Sequence, residues 1–300
     1  MIKNKSFTST HLTEAIERLT QLYPLIDVSV FGTSRLGRPL YALTIGHGAK
    51  AIMINAAHHA NEWITSIVLM KFLEECAQNY KINCKLWDNI TLHCIPMVNP
   101  DGVDLVTGGI EHARPAYKHA RTLSAHYNQP FPNGWKANIC GVDLNSNYPS
   151  NWELARKHKY ERGYTTPSPR DFVGSKPLSE PETCAMVAYT QINDFALTIS
   201  LHTQGEEIYW RYMDYMPEGA EKLAKRFEEV SGYFLEDVPS ESSHAGYRDW
   251  FISTFNRPGF TIECGLGENP LPLSQLDDIY KKTSPILREA LVWECVGFNV

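Results

Sequence analysis

His59 and Glu62, two residues that could bind a metal ion, follow an apolar stretch in the first quarter of the chain. They lie three positions apart, between the apolar run 51–54 and a pattern with helical spacing that begins near Trp63. Zinc binds imidazole nitrogen and carboxylate oxygen, and a hydrolytic zinc site usually has three protein ligands and a water molecule. The pair therefore predicts a metal site only if a third ligand lies elsewhere. The alternative is two polar residues in a surface loop.

His202 and Glu263 follow two further apolar stretches in the same way. In open α/β sheets, ligands bind in the crevice beyond the carboxyl ends of the strands. We therefore expect these two side chains to meet the first pair there. Taken alone, His202 is more often a buried, hydrogen-bonded histidine and Glu263 an ion-pair partner. Together the four residues predict a zinc hydrolase with Glu263 as general base and one zinc ion bound by His59, Glu62 and His202.

The chemistry of amide hydrolysis explains why these residue types are needed. A zinc ion lowers the pKa of its bound water toward ~7 and polarises the scissile carbonyl group, and a neighbouring carboxylate can take the water proton and pass it to the leaving amine. Glu263 lies between Ile262 and Cys264, and apolar surroundings of this kind raise the pKa of a carboxyl group. Glu263 is therefore suited to act first as a base and then as an acid.

The elements that must position these residues alternate between strands and helices. The apolar periodicity predicts strands at 26–31, 39–46, 51–56, 90–98, 195–201, 207–212 and 259–262. Helices are predicted at 12–23, 63–80, from a capping box at 179–182 to residue 193, and at 218–230 and 273–295, with a short helix or a turn at 246–255. Residues 99–102 predict a turn and residues 108–138 a long ordered loop. This alternation predicts an α/β fold with a mixed, mainly parallel sheet covered on both faces, in a single domain over residues 1–300.

Composition argues against several classes of partner. Lys and Arg are spread along a chain of net charge −6, which argues against a nucleic-acid partner. No stretch reaches the ~18 apolar residues of a membrane span, so no membrane partner is expected. Seven scattered cysteines without a C-x-x-C pair, and no apolar segment behind the N-terminus, favour reduced thiols and a cytoplasmic protein.

Five segments together resemble the zinc carboxypeptidase family, the one typified by pancreatic carboxypeptidase A. They occur in family order between about residue 10 and residue 295, and they are His59-Ala60-Asn61-Glu62-Trp63-Ile64, Gly141-Val142-Asp143-Leu144-Asn145, Ser200-Leu201-His202-Thr203, Asp249-Trp250 and Phe260-Thr261-Ile262-Glu263. The resemblance implies an α/β sandwich around a mixed eight-stranded sheet, the same three zinc ligands and Glu263 as base. It also favours His59 over His58, because the family ligand lies three residues before the glutamate.

Three positions depart from the family pattern. The exopeptidases of the family grip the free C-terminal carboxylate with an Asn-Arg pair, whereas this chain has Asn145 and Ser146 as the candidate substrate-binding residues. Loss of the bidentate arginine weakens the case for a simple carboxypeptidase. Lys136 stands where the family carries an arginine that polarises the scissile carbonyl; a solvated lysine is the alternative. The family's active-site tyrosine position falls near Glu241, and we assign no counterpart.

Arg248 occupies the position that, in the family, sets preference for the residue after the cleaved bond. An arginine there suits a side chain that ends in a carboxylate; the alternative is a surface ion pair. The combination resembles the bacterial members that cleave the γ-D-glutamyl to diamino acid (meso-diaminopimelate) bond of peptidoglycan stem peptides, which implies a muropeptide as the peptide substrate.

Three alternatives to the stem-peptide function remain. Two are enzymes of the same scaffold, an ordinary metallocarboxypeptidase and an N-acyl amino acid amidohydrolase. The third is a zinc-stabilised module that binds muropeptides without cutting them. Glu263 argues against the third, because pure binding needs no base.

Overall fold

The computed structural model describes residues 6–239 and 242–293. Within these ranges eight strands form one sheet: β1 (Asp27–Thr33), β2 (Pro39–Gly46), β3 (Lys50–Ala56), β4 (Ile90–Ile95), β5 (Leu197–His202), β6 (Glu207–Tyr209), β7 (Phe234–Leu235) and β8 (Gly259–Glu263). The α-helices in the same ranges are α1 (Ser9–Leu22), α2 (Ile64–Gln78), α3 (Cys84–Trp87), α4 (Pro100–Thr107), α5 (Pro115–His126), α6 (Trp152–Glu161), α7 (Pro181–Asn193), α8 (Ala220–Ser231), α9 (Tyr247–Phe255) and α10 (Leu276–Trp293).

The sheet has the strand order β1-β2-β4-β3-β5-β8-β6-β7. Its four central strands, β4, β3, β5 and β8, run parallel, so their carboxyl ends lie at the same edge. Strands β1, β2 and β6 pair antiparallel with their neighbours toward the centre, and β6 pairs parallel with β7 at the far edge. The predicted mixed, mainly parallel eight-stranded sheet is confirmed.

Helices cover both faces of the sheet because side chains along a central strand point alternately to the two sides. In β3, Ile52 and Ile54 belong to a core cluster that includes residues of α2, α8 and α10. Met53, between them, belongs to a second cluster with residues of α7 and α9. Full burial of such side chains stabilises the fold by about 1.5–3 kcal/mol each. The predicted sandwich is therefore confirmed, and it holds the central strand ends in place from both sides.

The turn predicted at residues 99–102 is wrong. Asn99 instead caps α4, and its side chain accepts a hydrogen bond from the Gly102 backbone N–H at 3.0 Å. Asn followed by Pro is a signal for a helix start as well as for a turn, since Pro fits the first helical position. The capping box predicted at residues 179–182 is also wrong, although α7 follows it. Glu180 makes no capping bond, because its carboxylate binds Arg35 and Asn138.

Besides α4 and the short α3, two longer helices lie where none was predicted. Helix α5 interrupts the expected loop at 108–138, and only Ala120 and Ser124 of that helix are buried. Helix α6 buries Trp152, Ala155 and Lys159. Both helices bury too few apolar residues to give a clear 3.6-residue period, so tertiary packing rather than amphipathic pattern reveals them.

The structure also bears on the cysteines and on membrane spans. All six cysteines that the structure describes have free thiols, and Cys76, Cys94 and Cys264 are buried. Cys295 lies outside the described residues. Among residues 6–239 and 242–293, no helix is both long enough and apolar enough to span a bilayer.

Candidate active site

The ends of β3, β5 and β8 bring four of the predicted site residues together. Strands β3, β5 and β8 are neighbours in the sheet, and His202 and Glu263, the last residues of β5 and β8, are direct cross-strand partners. His59 and Glu62 follow β3 in a tight turn, with residues 60–62 forming a 3₁₀ turn. The parallel register therefore gathers imidazole and carboxylate groups at one edge of the sheet, as the sequence predicts.

Three ligand atoms of His59, Glu62 and His202 converge on one point. The Nδ1 atom of His59 lies 2.9 Å from Oε1 of Glu62, and the Nδ1 atom of His202 lies 2.9 Å from Oε2 of Glu62. The two Nδ1 atoms lie 3.3 Å apart. Glu62 and His202 are buried, and the Thr203 backbone N–H also donates to Glu62 Oε2 at 3.2 Å.

This donor set fits a zinc ion. Zinc bonds of about 2.0–2.1 Å in a tetrahedral arrangement place neighbouring ligand atoms ~3.3 Å apart, close to the spacing of the two imidazole nitrogens. Two imidazoles and a carboxylate are a ligand set of hydrolytic zinc enzymes. Within the described parts of the chain, these three residues form the cluster whose ligand atoms all lie within 4.8 Å of one another. The predicted cofactor, one zinc ion, is therefore consistent with the geometry.

Asp143 orients His59 from behind. Its Oδ1 atom lies 3.3 Å from Nε2 of His59, which leaves Nδ1 directed at Glu62. Burial works to lower the pKa of His59, but the carboxylates of Glu62 and Asp143 raise it to about 9. Burial works to raise the pKa of Asp143, but the facing imidazole lowers it below its usual range. The sequence contains Asp143 inside a family segment, but sequence reasoning assigned it no role.

Lys136 lies at the centre of the site. Its Nζ donates to Oε1 of Glu62 at 3.0 Å, and its side chain is 22% exposed. Burial works to lower the pKa of Lys136, but Glu62 and Glu263 raise it, so the side chain is a cation. The alternative of a solvated lysine is therefore wrong.

Glu263 lines the same cavity as Lys136 and His59. Burial and the charge of Glu62 raise the pKa of Glu263 to about 8. The expectation that its surroundings raise its pKa is confirmed. A carboxyl group with such a pKa can hold or release a proton near neutral pH, which is the property required of a general acid and base.

The cavity has a volume of about 320 Å³, and Asn145, Ser146 and Arg248 all line it. The Oδ1 atom of Asn145 accepts a hydrogen bond from the Tyr247 backbone N–H at 3.0 Å, which leaves its amide nitrogen as the donor toward a ligand. Ser146 is buried at the end of the 3₁₀ turn Leu144–Ser146. The structure thus places all three candidate substrate-binding residues in one cavity with His59, a predicted metal ligand, and with Glu263.

Arg248 lies in the cavity wall rather than on the surface. Its side chain is 6% exposed, its Nε and Nη2 atoms donate to Oδ1 of Asp249, and its guanidinium lies 5.8 Å from the ring centroid of Tyr209. The alternative of a surface ion pair is wrong, because the pair is buried. Tyr209 and Arg170 also line the cavity, and neither was predicted, since no local pattern marks them.

His58 points away from the cluster. Its Nε2 atom lies 3.0 Å from the Tyr148 hydroxyl, and its ring stacks on His202 at a centroid distance of 5.8 Å. The position expected for the family's tyrosine, Glu241, lies outside the described residues.

A family model described as zinc carboxypeptidase matches residues 12–285 of the chain. The chain belongs to the zinc carboxypeptidase family. It is a zinc metallopeptidase, and therefore a hydrolase. The family identified by resemblance from the five sequence segments is confirmed.

Two relatives are similar to this chain in sequence, and one solved structure is similar to it in fold. Gamma-D-glutamyl-L-diamino acid endopeptidase 1 of Lysinibacillus sphaericus is 41% identical over 284 residues, which cover 92% of this chain and 70% of that protein. The protein YqgT of Bacillus subtilis (strain 168) is 41% identical over 299 residues, covering 96% of this chain and 78% of that protein. The structure of bovine thrombin-activatable fibrinolysis inhibitor in complex with tick carboxypeptidase inhibitor is similar in fold, with a TM-score of 0.73, 21% identity, and coverage of 97% of this chain and 98% of that chain.

Proposed function

We propose that this zinc peptidase hydrolyses the bond between γ-D-glutamate and a diamino acid, meso-diaminopimelate, in peptidoglycan stem peptides. The observation that carries the proposal is the cavity wall, which has a buried arginine at 248 and a serine at 146. The arginine favours a substrate whose residue after the cleaved bond carries an acidic side chain. The serine, which stands where family exopeptidases have an arginine, removes the bidentate clamp on a C-terminal carboxylate. The name of the Lysinibacillus sphaericus relative supports the same substrate class.

In this proposal His59, Glu62 and His202 hold the zinc ion. When bound, zinc lowers the pKa of water toward ~7 and polarises the scissile carbonyl group. Asp143 fixes the tautomer of His59, because an acceptor at Nε2 keeps the proton there and leaves the Nδ1 lone pair free for the metal.

Glu263 acts as the general base. It takes a proton from the attacking water as the new carbon–oxygen bond forms at the scissile carbonyl. It then gives that proton to the nitrogen of the diamino acid as the carbon–nitrogen bond breaks, so the products are a carboxylate and an amine. Its raised pKa suits both transfers.

Lys136 stabilises the negative charge that develops on the carbonyl oxygen. Its ammonium group is held close to the cluster by Glu62 and is mostly shielded from water. A fixed cation in a water-poor site stabilises developing charge more strongly than the same cation in bulk solvent.

Arg248 and the polar groups of Asn145 and Ser146 bind the leaving-side residue. The guanidinium of Arg248 already pairs with Asp249, which restrains it in the cavity wall. Its remaining donors suit the distal carboxylate of meso-diaminopimelate. Asn145 can donate to a carboxylate or an amide oxygen through its side-chain nitrogen.

Mass spectrometry on zinc-loaded protein tests the proposed function. The substrates are L-Ala-γ-D-Glu-meso-diaminopimelate, the same peptide with L-lysine in place of the diamino acid, and hippuryl amino acids. We expect fastest cleavage of the first peptide at the γ-glutamyl bond. Preference for hippuryl substrates would instead identify an ordinary carboxypeptidase or an N-acyl amino acid amidohydrolase, and binding of the peptides without cleavage would identify a recognition module.

The proposal places this turnover in the cytoplasm. Three buried cysteines keep free thiols in the structure, which suits a reducing compartment. Fractionation of cells that express the chain, followed by blotting of the soluble and envelope fractions, tests the compartment.

A further inference from the structure

Asp171 in the cavity wall faces two cations. Its Oδ1 atom accepts from Nζ of Lys159, and its Oδ2 atom accepts from Nε of Arg170 at 2.7 Å. Lys159 is buried with a side chain 7% exposed, so Asp171 is its neutralising partner. The carboxylate of Asp171 therefore pairs with two positively charged side chains at once.

Lys159 and Arg170 both line the cavity, and Arg170 is the more exposed of the two. Its side chain is 38% exposed, and its terminal nitrogens have no hydrogen-bond partner among the residues that the structure describes. The other cavity cations are more fully engaged, Lys136 by Glu62 and Arg248 by Asp249. A guanidinium has five N–H donors in a planar fork that matches a carboxylate. Arg170 thus has unused hydrogen-bond donors in the proposed substrate site.

Arg170 and Arg248 belong to different walls of the cavity. The backbone N–H groups of Lys136 and Ala137 both donate to the Pro169 carbonyl, at 2.8 and 2.9 Å. Arg170, the residue after Pro169, therefore lies next to the segment that carries Lys136. Arg248 comes from α9 and lies against Tyr209. The two arginines therefore offer two separate guanidinium groups to one substrate in the cavity.

We propose that Arg170 binds the α-carboxylate of the γ-linked glutamyl residue on the acyl side of the cleaved bond. This inference rests on the proposed function. A γ-linked glutamate keeps its α-carboxylate free, whereas in an ordinary α-linked residue the α-carboxyl group is itself part of the scissile amide. Arg170 is then the residue that distinguishes γ-linked from α-linked substrates, and Arg248 the residue that distinguishes the diamino acid.

Three peptides isolate the two carboxylates. They are L-Ala-γ-D-Glu-meso-diaminopimelate, its analogue with the glutamyl α-carboxylate converted to an amide, and its analogue with L-lysine as the diamino acid. The kcat/KM of each is measured for the wild type, Arg170→Gln and Arg170→Lys. The control is Arg156→Gln, because Arg156 is 43% exposed, pairs with one carboxylate, Glu153, and lies outside the cavity.

The wild type is expected to cleave the acid roughly 10–100-fold better than the amide, the range given by one charged hydrogen-bonded contact. Arg170→Gln is expected to lose this preference by slowing cleavage of the acid alone, while its preference for diaminopimelate over lysine persists. Arg170→Lys keeps a cation but not the fork, so part of the preference remains. Arg156→Gln is expected to match the wild type on all three peptides.

Each other result has a distinct meaning. Equal losses on acid and amide in Arg170→Gln would show that Arg170 only supports the wall, which overturns the inference while the proposed function stands. If Arg170→Gln lost the preference for diaminopimelate over lysine, Arg170 would bind a carboxylate on the leaving side of the cleaved bond, and the inference would again be overturned. A wild type that cleaves none of the three peptides would refute the proposed function itself. Melting temperature and zinc content show whether each variant is folded. If Arg170→Gln does not fold, Arg170→Lys is used alone. A preference of Arg170→Lys for the acid over the amide as large as that of the wild type would overturn the inference.

Discussion

His202 and Glu263 are direct cross-strand partners at the ends of β5 and β8. Their spacing is set by the sheet, in which adjacent strands lie about 4.7–4.9 Å apart. The predicted zinc ligand and the proposed base therefore depend on one strand register. A slip of one residue would turn both side chains to the opposite face.

Glu263→Gln is expected to abolish most of the activity while zinc remains bound. The amide keeps the size of the side chain but cannot take a proton, and general-base catalysis contributes roughly 10²–10⁴-fold. Turnover and metal content are measured on the same sample. The isosteric change Glu289→Gln, at a half-buried position of α10 that pairs with Arg226, is the control. Near-normal turnover in zinc-loaded Glu263→Gln would refute the base assignment.

Asp143→Asn is expected to weaken zinc binding roughly 10–100-fold, the usual cost of removing the partner that orients a histidine ligand. The physical reason is that Asp143 holds Nε2 of His59 and thereby directs its Nδ1 toward Glu62. Competition with a chelator of known affinity measures the change. Asp237→Asn, in an exposed ion pair with Arg211, controls for loss of one charge. Unchanged zinc affinity would show that Asp143 does not orient the ligand.

Lys136→Met is expected to lower kcat by roughly 10²–10³-fold with a smaller effect on KM, because the lost charge acts mainly on the transition state. Lys136→Arg should keep part of the activity. Steady-state kinetics are measured at matched zinc content, because loss of the contact between Lys136 and Glu62 could also lower the activity by weakening zinc binding. Lys71→Met, which removes an exposed lysine of α2, is the control. A rise in KM at constant kcat would assign Lys136 to ground-state binding instead.

Stability is expected to fall as pH rises from about 4.5 to about 7, because of Glu182. Burial raises the pKa of this carboxyl to about 7, from 4.5 in the unfolded chain, so only the folded state holds the proton between these values. The contribution is fully present below pH 4.5 and is lost as pH rises through 7, a change of about 3 kcal/mol. Within the described residues, Oε2 of Glu182 has no hydrogen-bond partner that would offset the buried charge.

Urea unfolding of the wild type and Glu182→Gln at pH 4.5 and pH 8 measures this effect. The variant lacks the titrating group, so its stability relative to the wild type should rise by about 3 kcal/mol between the two pH values. Glu153→Gln, at an exposed position of α6, should show no such change. A constant difference between variant and wild type would contradict the predicted titration.

Local patterns sufficed for much of the fold. Residues 51–56 are mostly apolar and residues 197–202 alternate apolar and polar side chains, and both stretches form central strands. Helices α5 and α6 escaped prediction because only a few of their side chains are buried, so their apolar pattern is weak. Asn99 illustrates a different failure, since the same dipeptide can begin a turn or a helix and the following packing decides between them.

The sequence by itself determined the family, the zinc chemistry and the strand ends at which His59, His202 and Glu263 lie, because residue type, spacing and apolar period are local properties. The tertiary structure decided which further groups meet them. Lys136 reaches Glu62, and Arg170 reaches the same cavity, across separations of more than seventy residues that only the packed sheet and its crossing loops bring together. No periodicity records such contacts, because they depend on how the elements pack and not on the order of residues within any one of them.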